Sequence, residues 1–363
     1  MQTKDIAQAN LIYKVRCGSH AYGTNLPTSD EDFAGIFIPP IEYYFGLQAF
    51  DLLSEQAEDD LSYYSLRKYA TLAVANNPNV LELLFVDPRD VLLCLPEATA
   101  LREIRHRFLS QRCQKTFVGY AKAQLHRIRT HTKWLQQEIE DMALLEPLVA
   151  RGEVTKEWVS WRFGSNMLAR VENSVKDQDY WEHGTMDSEI EASITALFKS
   201  SNIICPDKED QRFFKEGKFK RTGSLSSEST WEFQKHIYDE AKKKRDQYVT
   251  WMAERNPDRH ETEIRFGYDT KHAMHLVRLL RCGYEILTTG DLLVRRPDAQ
   301  DLLSIQAGAW TYEQVVGYAD EMVAKIDGIP PEQFKVPATP DLETISKTIV
   351  DMTSEYLFFG DRR

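Results

Sequence analysis

The run Gly18-Ser19-His20-Ala21-Tyr22-Gly23-Thr24-Asn25, followed by Ser29-Asp30-Glu31-Asp32, constrains the fold of this 363-residue chain more than any other feature. Leu11 to Cys17 reads as a strand, so the chain leaves a strand directly into Gly18-Ser19. A strand ending in Gly-Ser at the start of a short helix exposes backbone amides and a hydroxyl, an arrangement that receives phosphates without steric penalty. Gly18 and Ser19 are therefore expected to hold a triphosphate. Asp30 and Asp32 are two apart on extended chain, so both carboxylates project from one face and can share a pair of divalent cations, while Glu31 points away. Two Mg²⁺ ions, or Mn²⁺ in their place, are the expected occupants. The plainer alternative is an Asx-type turn joining two strands.

The surrounding chain reads as α/β. Phe33 to Ile38 is a second strand, closed by Pro39 and Pro40, and Leu61 to Leu66 is a third. The third strand merges into a helix through Lys68 to Ala75, and period alone does not place the junction. Asn76, Asn77 and Pro78 stop that helix, and Asn79 with Glu82 three residues on reads as the capped start of the next. From Ala98 the pattern is mostly helical: 98–109, 114–142, 156–175, 188–198 and 231–253. The prolines at 330, 331, 337 and 340 mark 327–340 as a linker to a last helix over 342–357.

Net charge is −11, which taken alone argues against a polyanionic partner. The average conceals a strong local bias. Arg102 to Lys133 holds six arginines and three lysines against the single acid Glu103, a charge of +8 that leaves −19 for the rest. Arg105, Arg112, Lys115, Lys122, Arg127 and Arg129 from this stretch are the candidate nucleic-acid contacts, with His106, His126 and His131 beside them. Arg212 to Arg221 interleaves cations with Phe213, Phe214 and Phe219, and Lys242 to Arg245 is a third basic run. Each run by itself also reads as a solvated helix face. The five cysteines are odd in number, scattered and without a Cys-x-x-Cys pair, so reduced thiols are expected and zinc is not. No apolar run spans a bilayer and Met1 to Asn10 is polar, so no membrane association and a cytoplasmic location are expected.

The spacing of Gly-Ser, about ten residues, then Asp-x-Asp resembles the nucleotidyltransferases of the DNA polymerase β superfamily. The runs Thr28 to Phe37, Asn77 to Phe85 and Gly267 to Leu280 are further similar to a bacterial and phage nucleotidyltransferase family, some members of which are associated with RNA repair. The similarity is dense over residues 11–90 and 255–320, and residues 140–255 have no residue-by-residue match. The resemblance implies an α/β + α chain: a small mixed-sheet, polymerase-β-like catalytic domain over 1–95, and a larger mostly helical region over 96–363 that binds nucleotide and acceptor. It also implies a third carboxylate on a neighbouring strand. Asp60 is the candidate, with Asp59 and Glu58 as near alternatives, because a one-residue register change swaps Asp60 for Asp59.

On a helix, Lys271, His275 and Arg278 fall at i, i+4 and i+7, a basic stripe opposite Ala273, Leu276, Leu279 and Leu280. The stripe either faces the triphosphate or is a solvated face. Arg67 and Lys68 either bind phosphate or pair with Glu55 and Glu58, and Tyr22 either stacks a base or packs. The expected reaction is metal-dependent transfer of a nucleoside monophosphate from a nucleoside triphosphate to a hydroxyl. Asp30, Asp32 and Asp60 would hold the metals, with Gly18, Ser19, Lys271, His275 and Arg278 on the phosphates. The expected acceptor is an RNA 3′ end, with tRNA as a candidate. The rivals are a protein or small-molecule acceptor, and a catalytically inactive nucleic-acid-binding module.

Overall fold

The computed structural model describes residues 3–46, 61–150 and 254–359, together with residues 247, 250 and 251. Its contacts divide the chain into two compact units: Met1–Arg129 with Asp269–Arg363, and Thr130–Tyr268. The sequence boundary at residue 95 marks where the pattern turns helical. It does not coincide with the edge of a unit, since the first unit runs on through Arg129 and resumes at Asp269.

The first unit is built on a four-stranded mixed sheet of order β3-β2-β1-β4. β1 (Leu11–Cys17) pairs antiparallel with β2 (Asp32–Phe37) and with β4 (Val91–Cys94), and β2 pairs parallel with β3 (Leu61–Ser65). β4 carries no sequence expectation, since Val91-Leu92-Leu93-Cys94 is too short and too uniformly apolar to alternate. Cross-strand partners share a face, so Val15, Ala34 and Ser62 line one side of the sheet, and Tyr13, Ile36 and Tyr64 stand on that side as well. Phe37 and Tyr63 lie on the other, where Ala7 of helix α1 (Thr3–Ala9) completes a small apolar cluster with Leu11 and Phe33 around it. Gly35 leaves room there for the Leu11 side chain, which a Cβ 2.6 Å from its Cδ1 would displace.

Two short helices follow β1 and β2, α2 (Gly18–Tyr22) and α3 (Glu42–Phe45). The ambiguous junction after β3 is resolved by Ser65, whose hydroxyl accepts from Lys68 N and caps α4 (Leu66–Val74). Asn76 then takes a left-handed φ of 54° and is fully buried. Its amide donates to Ala73 O and Phe108 O, and its Oδ1 accepts from Ser110 Oγ at 2.6 Å. The next cap is Asn77, not Asn79. Asn77 Oδ1 accepts from Asn79 N at the head of α5 (Pro78–Leu81), and Glu82 opens a buried 3₁₀ turn instead of closing a capping box.

The expected helix over 98–109 is α6 (Pro96–Glu103) followed by a 3₁₀ turn, Arg105–Phe108. The long helix α7 (Arg112–Ala150) begins in the first unit and ends in the second. The second unit also holds α8 (Pro257–Phe266). There Arg255 ion-pairs with Glu263 and stands 4.0 Å over the Trp251 ring, and Trp134 and Trp251 lie 5.3 Å apart. The helices expected at 156–175, 188–198 and almost all of 231–253, with the basic runs Arg212–Arg221 and Lys242–Arg245, lie outside the described residues.

The first unit is completed by α9 (Thr270–Thr289), α10 (Ala299–Gln306), α11 (Tyr312–Asp327) and α12 (Leu342–Ser354). Asp269 caps α9 through His272 N, and Ala273, Leu276, Val277 and Leu280 are buried as its period requires. Each fully buried aliphatic side chain contributes roughly 1.5–3 kcal/mol, enough to hold the helix against the sheet unit. Gly283 lets α9 and α7 close in, since a Cβ there would lie 2.9 Å from Phe117 Cβ. The proline-rich segment 327–340 packs rather than dangles: Lys335 N donates to Leu287 O, Gln111 N donates to Pro337 O, and Val336 is buried.

Candidate active site

Cys17, the last residue of β1, pairs with Asp32, the first of β2, and the chain turns at Gly18 into α2. That pairing sets the Asp32 carboxylate against the Gly18 α-carbon. Gly18 has φ +63°, and a Cβ there would collide with Asp32 Oδ2, so glycine is required on both counts. α2 ends in a left-handed Gly23, and Thr24 N returns to Ser19 O at 2.9 Å. His20 Nε2 lies 3.3 Å from Ser29 O, tying α2 to the loop that leads to Asp30. The Gly-Ser turn is thus fixed from both ends.

A cleft of about 230 Å³ opens at this end of the sheet, lined by Gly18, Asp32, Ser62, Tyr64, Asn79 and Glu82 among others. Its volume is below the roughly 300–1,000 Å³ of a pocket that encloses a whole ligand, so it accommodates part of one. Asp32 is exposed at the cleft. Asp30 is also exposed, but it precedes β2 by two residues and does not line the cleft. The expected same-face pair is therefore one strand residue and one loop residue. Asp60, like Asp59 and Glu58, lies outside the described residues. Its sequence neighbour Leu61 pairs with Phe33, the neighbour of Asp32.

Burial pushes the Cys17 thiol up to about 12, and the charges of Asp32 and Glu82 add to the shift. An exposed carboxylate at the cleft fits a hard divalent cation better than a bare triphosphate.

Glu82 is the residue that sequence reasoning misassigned. It is 4% exposed, accepts from the Tyr22 hydroxyl at 2.7 Å and ion-pairs with Arg278. Arg278 is itself 3% exposed and lies 3.7 Å over the Tyr22 ring. Burial works against its charge, but Glu82 and Tyr22 together raise its pKa. Burial also lifts the Tyr22 pKa, which Arg278 opposes and Glu82 reinforces, so the hydroxyl keeps its proton. The expectation that Arg278 contacts phosphate is corrected accordingly: its guanidinium is enclosed by Glu82 and Tyr22, one layer behind the cleft. An available signal was the acid inside the apolar run Val80-Leu81-Glu82-Leu83-Leu84, which demands a buried cation.

The rest of the expected stripe diverges in exposure. Lys271 is exposed and His275 half-buried, and neither lines the cleft. Tyr22 packs. Arg67 is exposed, with Glu55 and Glu58 outside the described residues. Of the candidate nucleic-acid contacts, Arg112, Lys115, Lys122, Arg127 and Arg129 are exposed on α7, while Arg105 is half-buried, donates to Arg102 O and stands over the Phe85 ring.

A mixed sheet whose first strand delivers Gly-Ser beside a carboxylate of the second is consistent with a polymerase-β-like domain. Residues 1–156 match the family model described as RNA repair pathway DNA polymerase beta family. The chain is 24% identical over 338 residues to "Uncharacterized 38.9 kDa protein in nrdC-mobD intergenic region" of Enterobacteria phage T4, covering 89% of this chain and 90% of the phage protein. It is also 38% identical over 80 residues to "Uncharacterized protein YcgL" of Bacillus subtilis (strain 168), covering 21% of this chain and 31% of that one. No solved structure gives a significant match. No helix among the described residues is long and apolar enough to cross a membrane.

Proposed function

We propose that this chain transfers a nucleoside monophosphate from a nucleoside triphosphate to a hydroxyl acceptor, releasing pyrophosphate, and that the acceptor is an RNA 3′ end. The observation that carries the reading is the Asp32 carboxylate held against the Gly18 α-carbon at the mouth of the cleft. In this reading Asp32 would ligate metal directly beside the Gly18-Ser19 turn that would hold phosphate. Asp32, Asp30 and Asp60 would hold the two Mg²⁺ ions. These, when bound, lower the pKa of an attacking hydroxyl and offset charge on the triphosphate. Ser62 and Tyr64 line the cleft, and Asp60, or Asp59 beside it, would supply the third carboxylate.

Gly18 and Ser19 would cradle the phosphates with backbone amides and the Ser19 hydroxyl, and exposed Lys271 with His275 would meet the distal phosphates. Arg278 serves through Glu82 and Tyr22 as a positioning residue for α2. The exposed cations of α7 would hold the acceptor.

The test is incubation of the purified protein with each α-labelled nucleoside triphosphate, Mg²⁺ or Mn²⁺, and a mixture of tRNA, single-stranded RNA and DNA, resolved on a denaturing gel. Metal-dependent label on RNA is the expected result. Label on the protein, or on DNA alone, would overturn the RNA assignment. Absence of label despite nucleotide binding would overturn the transfer itself.

A further inference from the structure

We propose that the face of α7 between Arg112 and Arg129 is a track for the phosphate backbone of base-paired nucleic acid, gripping a paired stretch of the acceptor without reading its bases. The setting rests on the transfer reading above, but the surface is argued from its own residues. Arg112, Lys115, Gly119, Lys122, His126 and Arg129 recur at alternating spacings of three and four, which places them in one line along the helix. All six are exposed, and the line runs about 26 Å at 1.5 Å per residue. Cys113, Phe117, Ala121 and Ile128 are buried on the other side, so the stripe is locked outward.

A helix face that is merely solvated carries both signs, because opposite charges three or four apart stabilise it and like charges destabilise it. This stretch carries one sign: no acid occurs between Glu103 and Glu138, in a chain of net charge −11. Arg112 with Lys115 are like-charge neighbours that cost stability until a polyanion neutralises them. Gly119 lies mid-stripe, where a Cβ would meet nothing within 4 Å, leaving an open shelf between Lys115 and Lys122 for a backbone to settle on.

The choice of paired over unpaired nucleic acid follows from the rings. Surfaces that hold single strands set aromatic side chains among the cations so that unstacked bases can lie on them. Here Phe117 is buried, and Tyr120 is half-buried with its hydroxyl taken by Asn77 Nδ2 at 2.7 Å. Cations with the single imidazole of His126 among them, and no exposed Phe, Tyr or Trp, suit a duplex, whose bases are already stacked and whose phosphates face outward.

The experiment is a salt titration of binding, in EDTA and without nucleotide, using a fully base-paired RNA hairpin and an unpaired oligonucleotide of the same length. The wild type is expected to bind the hairpin more tightly. In Lys115→Gln/Lys122→Gln the slope of log K against log salt should fall by about 2, whatever the hairpin sequence. Equal or tighter binding of the unpaired strand overturns the preference for paired nucleic acid. An unchanged slope overturns the placement on α7, and no hairpin binding at low salt overturns the track. Since neither metal nor nucleotide is present, these outcomes are independent of whether the labelling assay detects transfer.

Discussion

The guanidinium of Arg278 lies 3.7 Å over the ring of Tyr22, and Glu82 holds both residues, through an ion pair with Arg278 and a hydrogen bond from the Tyr22 hydroxyl. This closed ring of three buried groups fastens α9 to α2, the helix that begins at Gly18. Arg278→Ala leaves Glu82 buried without a counter-charge and is expected to destabilise the protein by about 3–5 kcal/mol. Adding Glu82→Gln should recover part of that loss by removing the stranded charge. Urea unfolding of the single and double variants measures both, and a loss below about 1 kcal/mol for Arg278→Ala would mean that the site is hydrated. Arg278→Lys keeps the charge without the planar stack, and should fall between wild type and Ala.

Gly18→Ala tests the turn. The left-handed φ costs an L-residue about 1–2 kcal/mol, and the new methyl group must displace the Asp32 carboxylate. Activity should therefore fall much further than stability does, as read by comparing the thermal midpoint with the rate of label transfer. Proportionate loss in both would argue for simple unfolding.

Asp32→Asn leaves an isosteric residue at an exposed strand end, so the fold should be retained while transfer falls by about 10³-fold or more, the worth of several kcal/mol of charge stabilisation. Asp30→Asn, placed in the loop before β2, should lose less. Substantial turnover by Asp32→Asn would remove Asp32 from the site.

The Cys17 thiol, pushed up to about 12 by burial and then by Asp32 and Glu82, stays protonated at neutral pH. Alkylation by iodoacetamide should label exposed Cys94 near pH 8 while sparing Cys17, as read by mass spectrometry. Because the folded state holds this proton more tightly than the unfolded chain does, the stabilisation is complete below the usual thiol value. It declines as pH rises toward about 12. Early labelling of Cys17 would show that its surroundings open readily.

Local sequence determined much of this molecule. The β1 strand, the Gly-Ser turn and the Asp32 strand start follow from neighbouring residues, because alternation and the conformational freedom of glycine act over a few positions. The long basic helix and the α9 amphipathic pattern are legible for the same reason, since helical period is a short-range property. Tertiary structure decided which side of a pattern was used. Lys271, His275 and Arg278 are equivalent by spacing, yet Lys271 is exposed and Arg278 is buried, because Glu82 is brought to α9 from 196 residues away in the chain. β4 exists because β1 offers it an edge, not because four apolar residues favour extension. Long-range partners supply the counter-charge, the paired strand and the close approach at Gly18, and none of these is a property of any segment alone.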